Sequence, residues 1–147
     1  MIQRIQSVFL FLAAGLLGGQ FALPYGTITN QTAEVPASLT DGVLTPTDNI
    51  GLMGLTILGA VLSFVAIFLF KNRKLQAQIT GLSVVISILL LALIGVVFSQ
   101  LLPVFNANAG HLGLGLGLPL VGVVFQFLAQ RAIKKDENLV RSMDRLR

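Results

Sequence analysis

Four apolar runs divide the chain, and a polar stretch separates each run from the next. The runs occupy residues 5–23, 50–70, 79–102 and 112–132. A helix rises about 1.5 Å per residue, so about 20 residues cross a hydrocarbon core of about 30 Å. The pattern therefore predicts an all-α membrane protein with a bundle of four transmembrane helices in residues 1–132.

The first run follows Arg4 and has two interpretations. A basic start followed by an apolar core is also typical of a secretory signal peptide. The run is long enough to span a bilayer, and no convincing small-x-small cleavage site follows Leu17. We therefore expect an uncleaved span that Pro24 closes, because proline cannot continue the hydrogen bonds of a helix.

The polar stretches predict three connections. The charges from Lys71 to Lys74 stop the second run and predict a loop over 71–78, while Pro103 is expected to end the third run. The loop over 24–49 contains two stretches, 27–32 and 39–44, that could pair as a hairpin around Asp41-Gly42. The remaining loop is 103–111.

The fourth run begins with an alternation of glycine and leucine, Gly113-Leu114-Gly115-Leu116-Gly117-Leu118-Pro119. In water this period of two would favour a strand. In lipid an isolated strand leaves its backbone groups unpaired, so the sequence predicts a helix with loose or kinked first turns. Arg131 marks its end.

Composition supports membrane insertion. Apolar residues make up 54% of the chain and charged residues 11%, whereas about 25% is typical of soluble domains. The chain has no cysteine, which excludes disulfides, a cysteine zinc site and a thiol nucleophile.

The basic residues predict the orientation. All ten lie before the first run, between the second and third, or after the fourth: Arg4, Lys71, Arg73, Lys74, Arg131, Lys134, Lys135, Arg141, Arg145 and Arg147. The loops over 24–49 and 103–111 hold none. Because basic residues concentrate on the cytoplasmic side of bacterial membranes, we expect both termini in the cytoplasm.

The tail, residues 133–147, is expected to form a basic amphipathic helix in the cytoplasm. One apolar face is formed by Leu139, Val140, Met143 and Leu146. Acidic residues alternate with basic residues here. Basic residues alone would keep the tail on the cytoplasmic side, so the acidic residues indicate a further role. The tail residues that could dock a partner are Lys134, Lys135, Asp136, Glu137, Arg141, Asp144 and Arg145.

The interiors of the runs lack charged residues, which counts against an ion-coupled transporter acting alone. The polar residues there are Gln20, Thr56, Ser63, Ser83, Ser87, Ser99, Gln100 and Gln126. Serine and threonine are expected to bond their own helix backbone. Gln126 is expected to bond another helix, and a substrate contact is the alternative.

Small residues predict close helix packing. Gly113 and Gly117 form G-x-x-x-G, and Gly59 and Ser63 are also four apart. Such pairs could serve packing inside the bundle or contact with another subunit.

No pattern indicates a cofactor or a metal. His111 is the only histidine, and no metal-ligand spacing surrounds it. No phosphate-binding or dinucleotide motif is present. Nucleic-acid binding is not expected either, because Lys134-Lys135 is a short patch mixed with acids and without aromatic neighbours.

Three segments resemble a known family: the start from Met1 to Gln6, the stretch from Phe70 to Gln76, and the ending from Ile133 to Arg147. Together the chain resembles the domain of unknown function 4293 family, small four-span inner-membrane proteins of the Bacteroidota. The resemblance covers nearly the whole chain and implies a bacterial cytoplasmic-membrane protein. It implies no activity and assigns no functional residues.

Three functions remain open. The first is a non-enzymatic accessory or structural subunit of a larger inner-membrane complex, which contacts the lipid bilayer and other membrane subunits. The second is a small oligomeric transporter or channel, with a polar path seeded by Gln20, Gln100 and Gln126. The third is a membrane enzyme with an extracytoplasmic site, which would use Glu34, Asp41, Asp48 and His111.

Overall fold

The computed structural model describes residues 2–29, 35–36 and 39–144. The α-helices in these ranges are α1 Ile2–Gly19, α2 Ile50–Phe68, α3 Arg73–Ala107 and α4 Gly117–Asp144. Three apolar helical segments are long enough to cross a membrane: Ile50–Lys71, Arg73–Ala107 and Leu114–Val140. The apolar segment in α1, Ile5–Gly19, is shorter. By length and composition, the helices suit a membrane protein.

Asparagine side chains begin two of the helices. Asn49 accepts hydrogen bonds from the backbone N–H groups at the start of α2, and Asn72 does the same for α3. A short 3-10 turn, Leu69–Lys71, precedes Asn72. The predicted loop over 71–78 is therefore wrong, because α3 starts at Arg73 directly after its cap.

Pro103 lies inside α3, so the prediction that it ends the third run is also wrong. A proline inside a helix lacks the N–H for one hydrogen bond and crowds the carbonyl group four residues earlier, but the turns after it can keep their hydrogen bonds. The helix continues to Ala107, and Asn108 closes it with its backbone N–H on the carbonyl oxygen of Val104, 3.1 Å away.

The helices form a closed ring, an arrangement that the sequence left open. α1 packs against α2 and α4, and α3 packs against the same two helices. One part of the core gathers around Leu17, Leu52 and Leu90. The other gathers around Leu10 and Ile133.

A small antiparallel sheet closes one end of the ring. Its strands are β1 Gly26–Thr27, β2 Val43–Leu44 and β3 His111–Leu112, in the order β2-β1-β3. Thr27 pairs with Val43 within the predicted hairpin stretches, whereas Gly26, which pairs with Leu44, lies outside them. Asp41-Gly42 precedes β2 directly instead of forming a two-residue turn. Part of that hairpin, residues 30–34, lies outside the described residues. We call this end, with the loops 20–29, 39–49 and 108–116, the sheet end.

The opposite end carries the basic residues of α3 and α4, and we call residues 69–74 and 131–144 the charged end. α4 passes through residue 132 without a break, so the predicted tail is the continuation of the fourth helix rather than a separate element. Ile133 is fully buried against Leu10, Ala66 and Ala129. Among the described residues, the four helices and the predicted tail therefore share one core.

The outer surface of the ring is apolar. Large exposed side chains occur on every helix: Phe11, Val61, Phe64, Leu82, Leu89, Val96, Leu120 and Val124. Water would disfavour so large an apolar surface, whereas lipid tails match it. This surface therefore supports the assignment to a membrane.

Candidate functional site

Polar side chains are buried inside the ring, although the outer surface of the ring is apolar. We call these residues the polar core: Gln6, Thr56, Ser63, Gln76, Thr80, Ser83, Ser87 and Gln126. The four members in α3 follow a spacing of four, three and four residues, so they lie on one helix face. Each is at most 4% exposed. The ring is therefore apolar outside and partly polar inside.

Three of these side chains meet at the centre of the polar core, and each comes from a different helix. The Nε2 atom of Gln126 lies 2.9 Å from the hydroxyl oxygen of Ser63 and 2.8 Å from that of Ser83. The two hydroxyl oxygens are 2.8 Å apart. Ser83 also donates to the carbonyl oxygen of Gly59, 3.1 Å away. The cluster thus joins α2, α3 and α4.

Counting donors supports the orientation of the Gln126 amide. Its two N–H groups donate to Ser63 and Ser83, Ser63 donates to Ser83, and Ser83 donates to Gly59. A flipped amide would draw both hydroxyl protons to its oxygen. Two hydroxyl lone pairs would then face each other at 2.8 Å, and the bond to Gly59 would be lost.

Three polar atoms in the polar core have no hydrogen-bond partner among the described residues. They are the buried Oε1 atom of Gln126 and the hydroxyl oxygens of Ser87 and Thr80. An unpartnered buried acceptor is costly, and a water or another donor commonly satisfies it. The polar core can therefore accept a hydrogen bond from a small polar molecule.

The serine predictions have mixed outcomes. Ser99 bonds the carbonyl oxygen of Val96 in its own helix, as expected. Ser63 and Ser83 instead bond across helices, so the expectation fails for them. A shared helix face could have revealed these contacts from the sequence, and its members are Gln76, Thr80, Ser83 and Ser87. The predicted loop over 71–78 placed Gln76 outside the helix, so this face was not recognised.

The glycine motif is not a helix-packing motif. Gly113 lies before α4 in an extended conformation, so the prediction that Gly113 and Gly117 share a helix is wrong. The N–H of Gly113 donates to the Tyr25 carbonyl oxygen at 2.9 Å. A β-carbon at Gly113 would lie 2.1 Å from the Pro24 carbonyl oxygen, whereas one at Gly117 would meet nothing within 4 Å. Backbone from another segment supplies the missing partners, which is why the run need not be helical.

Gly59 serves packing inside the ring. A β-carbon there would lie 3.3 Å from a methyl carbon of Leu17 and 3.4 Å from the Ser87 hydroxyl oxygen. The small pair Gly59 and Ser63 therefore lets α1, α2 and α3 approach closely.

A tyrosine at the sheet end is tied to the end of α1. The Tyr25 hydroxyl donates to the Oε1 atom of Gln20 at 2.5 Å, and both side chains are buried. Burial raises the pKa of the Tyr25 phenol to about 12, and the nearby Thr56 hydroxyl partly offsets this. This buried contact was not foreseen from the sequence.

At the charged end, Asp136 is used within the chain. Its carboxylate lies 3.6 Å from the guanidinium of Arg73, the first residue of α3. Lys134 and Lys135 are exposed, and Glu137 is half-buried. Arg141 and Asp144 are within α4, but their side chains lie outside the described residues, as does all of Arg145. A role for these residues in binding a partner stays a prediction.

The acids proposed for an extracytoplasmic site act locally. Asp41 accepts from the N–H of Val43 at 3.2 Å, and Asp48 accepts from both the N–H and the hydroxyl of Thr45. Glu34 lies outside the described residues. His111 is exposed in β3. Among the residues described, no three acidic, histidine or cysteine side chains gather in a possible metal site.

A family model matches the chain over the whole of this ring. Residues 2–146 match the model of the family described as Domain of unknown function (DUF4293). The chain belongs to this family. The match includes all four helices, the three loops of the sheet end and the charged extension of α4. No curated protein and no solved structure matches the chain.

Proposed function

We propose that this family member is a non-enzymatic protein of the bacterial cytoplasmic membrane and an accessory or structural subunit of a larger membrane complex. All four helices span the membrane in this proposal, with both termini in the cytoplasm. The 18 residues of α1 extend about 27 Å, close to the hydrocarbon thickness. The loops of the sheet end carry no lysine or arginine, which supports placing that end outside.

The observation that carries the role as a subunit is the free end of α4. The contact between Arg73 and Asp136 places the start of α3 level with residue 136 of α4. Residues 137–144 therefore extend about 12 Å farther than α3. Leu139 and Val140 are exposed on this extension, at 46% and 39%. Exposed apolar side chains beside charges favour docking by another protein.

The test is purification of the tagged native protein in mild detergent, followed by mass spectrometry of what accompanies it. We expect partners in fixed ratio, which are lost after deletion of 137–147 and in the double variant Leu139→Ser and Val140→Ser. The matched control is Leu112→Ser, which changes an exposed apolar residue of the sheet end. A lone chain, or partners that stay bound in every variant, would refute the role as a subunit.

A small oligomeric channel or transporter is the second candidate, and the polar core favours it. The open acceptor of Gln126 lies inside a ring whose buried polar groups extend along its length. In this function the polar core would offer hydrogen bonds to water or a small polar solute during passage.

Water permeability of proteoliposomes tests this second candidate without knowledge of the substrate. We expect Gln126→Leu to lower permeability. Gln100 was also predicted to line the path, but it is exposed and not part of the polar core, so Gln100→Leu should leave permeability unchanged. Gln126→Leu should also lower the free energy of unfolding by about 1 kcal/mol, because it removes two bonds between helices. Permeability equal to that of protein-free liposomes would eliminate this candidate.

A further inference from the structure

Three cations share one exposed face of α4 at the charged end. Lys134 and Lys135 lie three and four residues after Arg131, so both are neighbours of Arg131 on the same side of the helix. Together with Asn138 and Leu139 they line a groove of about 460 Å³. Its lining thus combines positive charge, an amide and one apolar wall.

These cations are free within the described part of the chain. None of them has an ion pair or hydrogen bond to another described side chain, whereas the neighbouring Asp136 is held by Arg73. Asp136 and Glu137 do not line the groove. The groove therefore presents uncompensated positive charge, which an anion would neutralise.

The groove lies where the apolar surface of the ring ends. Ile133, between Arg131 and Lys134 in sequence, is buried in the last apolar layer with Leu10 and Ala66. From this level onward α4 is charged. In a bilayer this is the height of the phosphate groups, and lysine and arginine chains commonly extend to them.

We propose that the groove binds the phosphate-bearing headgroup of an anionic phospholipid from the cytoplasmic leaflet. The three cations face the headgroup phosphate, and Leu139 packs against the glycerol and first methylenes. Each cation near an anionic surface contributes about fivefold in affinity. Basic residues that only keep one end of a protein on the cytoplasmic side need their charge but no particular arrangement. In this groove the three cations are arranged so that they can bind the same headgroup. The proposal rests on the membrane topology proposed above but not on the role as a subunit.

Native mass spectrometry of the full chain with a mixture of phosphatidylethanolamine and phosphatidylglycerol tests the proposal. We expect the wild type to retain phosphatidylglycerol selectively. The double variant Lys134→Gln and Lys135→Gln should lower that retention about 25-fold, the product of two fivefold effects. The matched control, Lys71→Gln and Lys74→Gln, removes the same charge from exposed positions at the same end and should retain the lipid.

Further arms separate the alternatives. Lys134→Arg with Lys135→Arg should restore retention, and Arg131→Gln alone should lower it about fivefold if the double variant does not elute as a folded protein. Equal losses in both double-glutamine variants would show a response to net charge and overturn the proposal. Displacement of the lipid by inorganic phosphate would overturn it in favour of a free-anion site. Deletion of 137–147 removes Asn138 and Leu139, two residues of the groove. If that deletion releases accompanying proteins but leaves lipid retention unchanged, the lipid proposal is overturned and the role as a subunit is supported.

Discussion

The two ends of the ring treat their polar groups in opposite ways. At the sheet end, backbone and side-chain groups bond one another: β1 pairs with two strands, Tyr25 bonds Gln20, and Asp48 caps its own turn. At the charged end, Arg131, Lys134 and Lys135 remain free, and the described residues contain a single ion pair, between Arg73 and Asp136. The sheet end is bonded largely within itself, with the Nε2 atom of Gln20 as an exception, whereas the charged end is available to other molecules.

The contrast teaches where substitutions should affect folding and where they should affect binding. A closed end depends on steric fit, so small changes there should lower stability. An open end depends on charge, so changes there should alter partners and lipids while the fold stays intact. Three predictions test this division.

The largest effect is expected for Gly115→Ala at the sheet end. A β-carbon there would lie 2.2 Å from the Leu23 carbonyl oxygen and 2.6 Å from that of Pro24. Both are backbone atoms, which cannot rotate away, so we expect the free energy of unfolding to fall by about 3 kcal/mol. Thermal unfolding in detergent, followed by helical circular dichroism, measures it.

Gly117→Ala is the matched control, two residues away. Nothing lies within 4 Å of its added β-carbon, and the position begins α4. Alanine favours helix over glycine by up to about 1 kcal/mol, so stability should be unchanged or slightly higher. Equal losses in both variants would show that the sheet end is not closely packed.

A moderate, pH-dependent effect is expected at Tyr25. The phenol ionises near pH 10 in the unfolded chain and near 12 in the folded chain, so between these values the unfolded chain binds fewer protons. The free energy of unfolding should therefore fall as pH rises through this window, by about 2 kcal/mol in total. Tyr25→Phe should remove this part of the pH dependence.

Direct titration checks the same assignment. The chain has one tyrosine and no tryptophan, so phenolate absorbance reports Tyr25 alone. A midpoint near pH 10 in the folded protein would contradict the buried contact with Gln20.

The smallest effect is expected for Arg73→Gln at the charged end. The pair with Asp136 is partly exposed, and such pairs contribute up to about 1 kcal/mol. We expect a loss in that range that added salt diminishes, with Lys74→Gln as the control without an ion pair. A loss comparable to that of Gly115→Ala would mean that the charged end also supports the fold.

Hydropathy predicted the helices because a surface that faces lipid must be apolar. The side chains of that surface make up the apolar runs of the sequence. The second run, predicted over 50–70, became Ile50–Phe68, and the centres of the third and fourth runs are helical. The polar core was less visible. Its serines are small enough to pass for ordinary helix residues, and only their shared face distinguishes them.

The ends of the runs could not be predicted because distant backbone decides them. The Gly-Leu alternation was expected to be helical because an isolated strand in lipid lacks partners. The N–H groups of Gly113 and Gly115 find those partners in the carbonyl groups of Tyr25 and Pro24, about 90 residues earlier in the chain. No local pattern reports such a contact.

The packing of α4 against α1 has a consequence for biogenesis. A ribosome delivers α1 first and α4 last, so the α2–α3 hairpin can join Ser63 to Ser83 before Gln126 has been synthesised. Until the last helix inserts, these hydroxyl groups and the inner face of α1 lack their final neighbours. A chain that stops before residue 126 therefore leaves the hydroxyl groups of Ser63 and Ser83 without the amide that they contact in the finished ring.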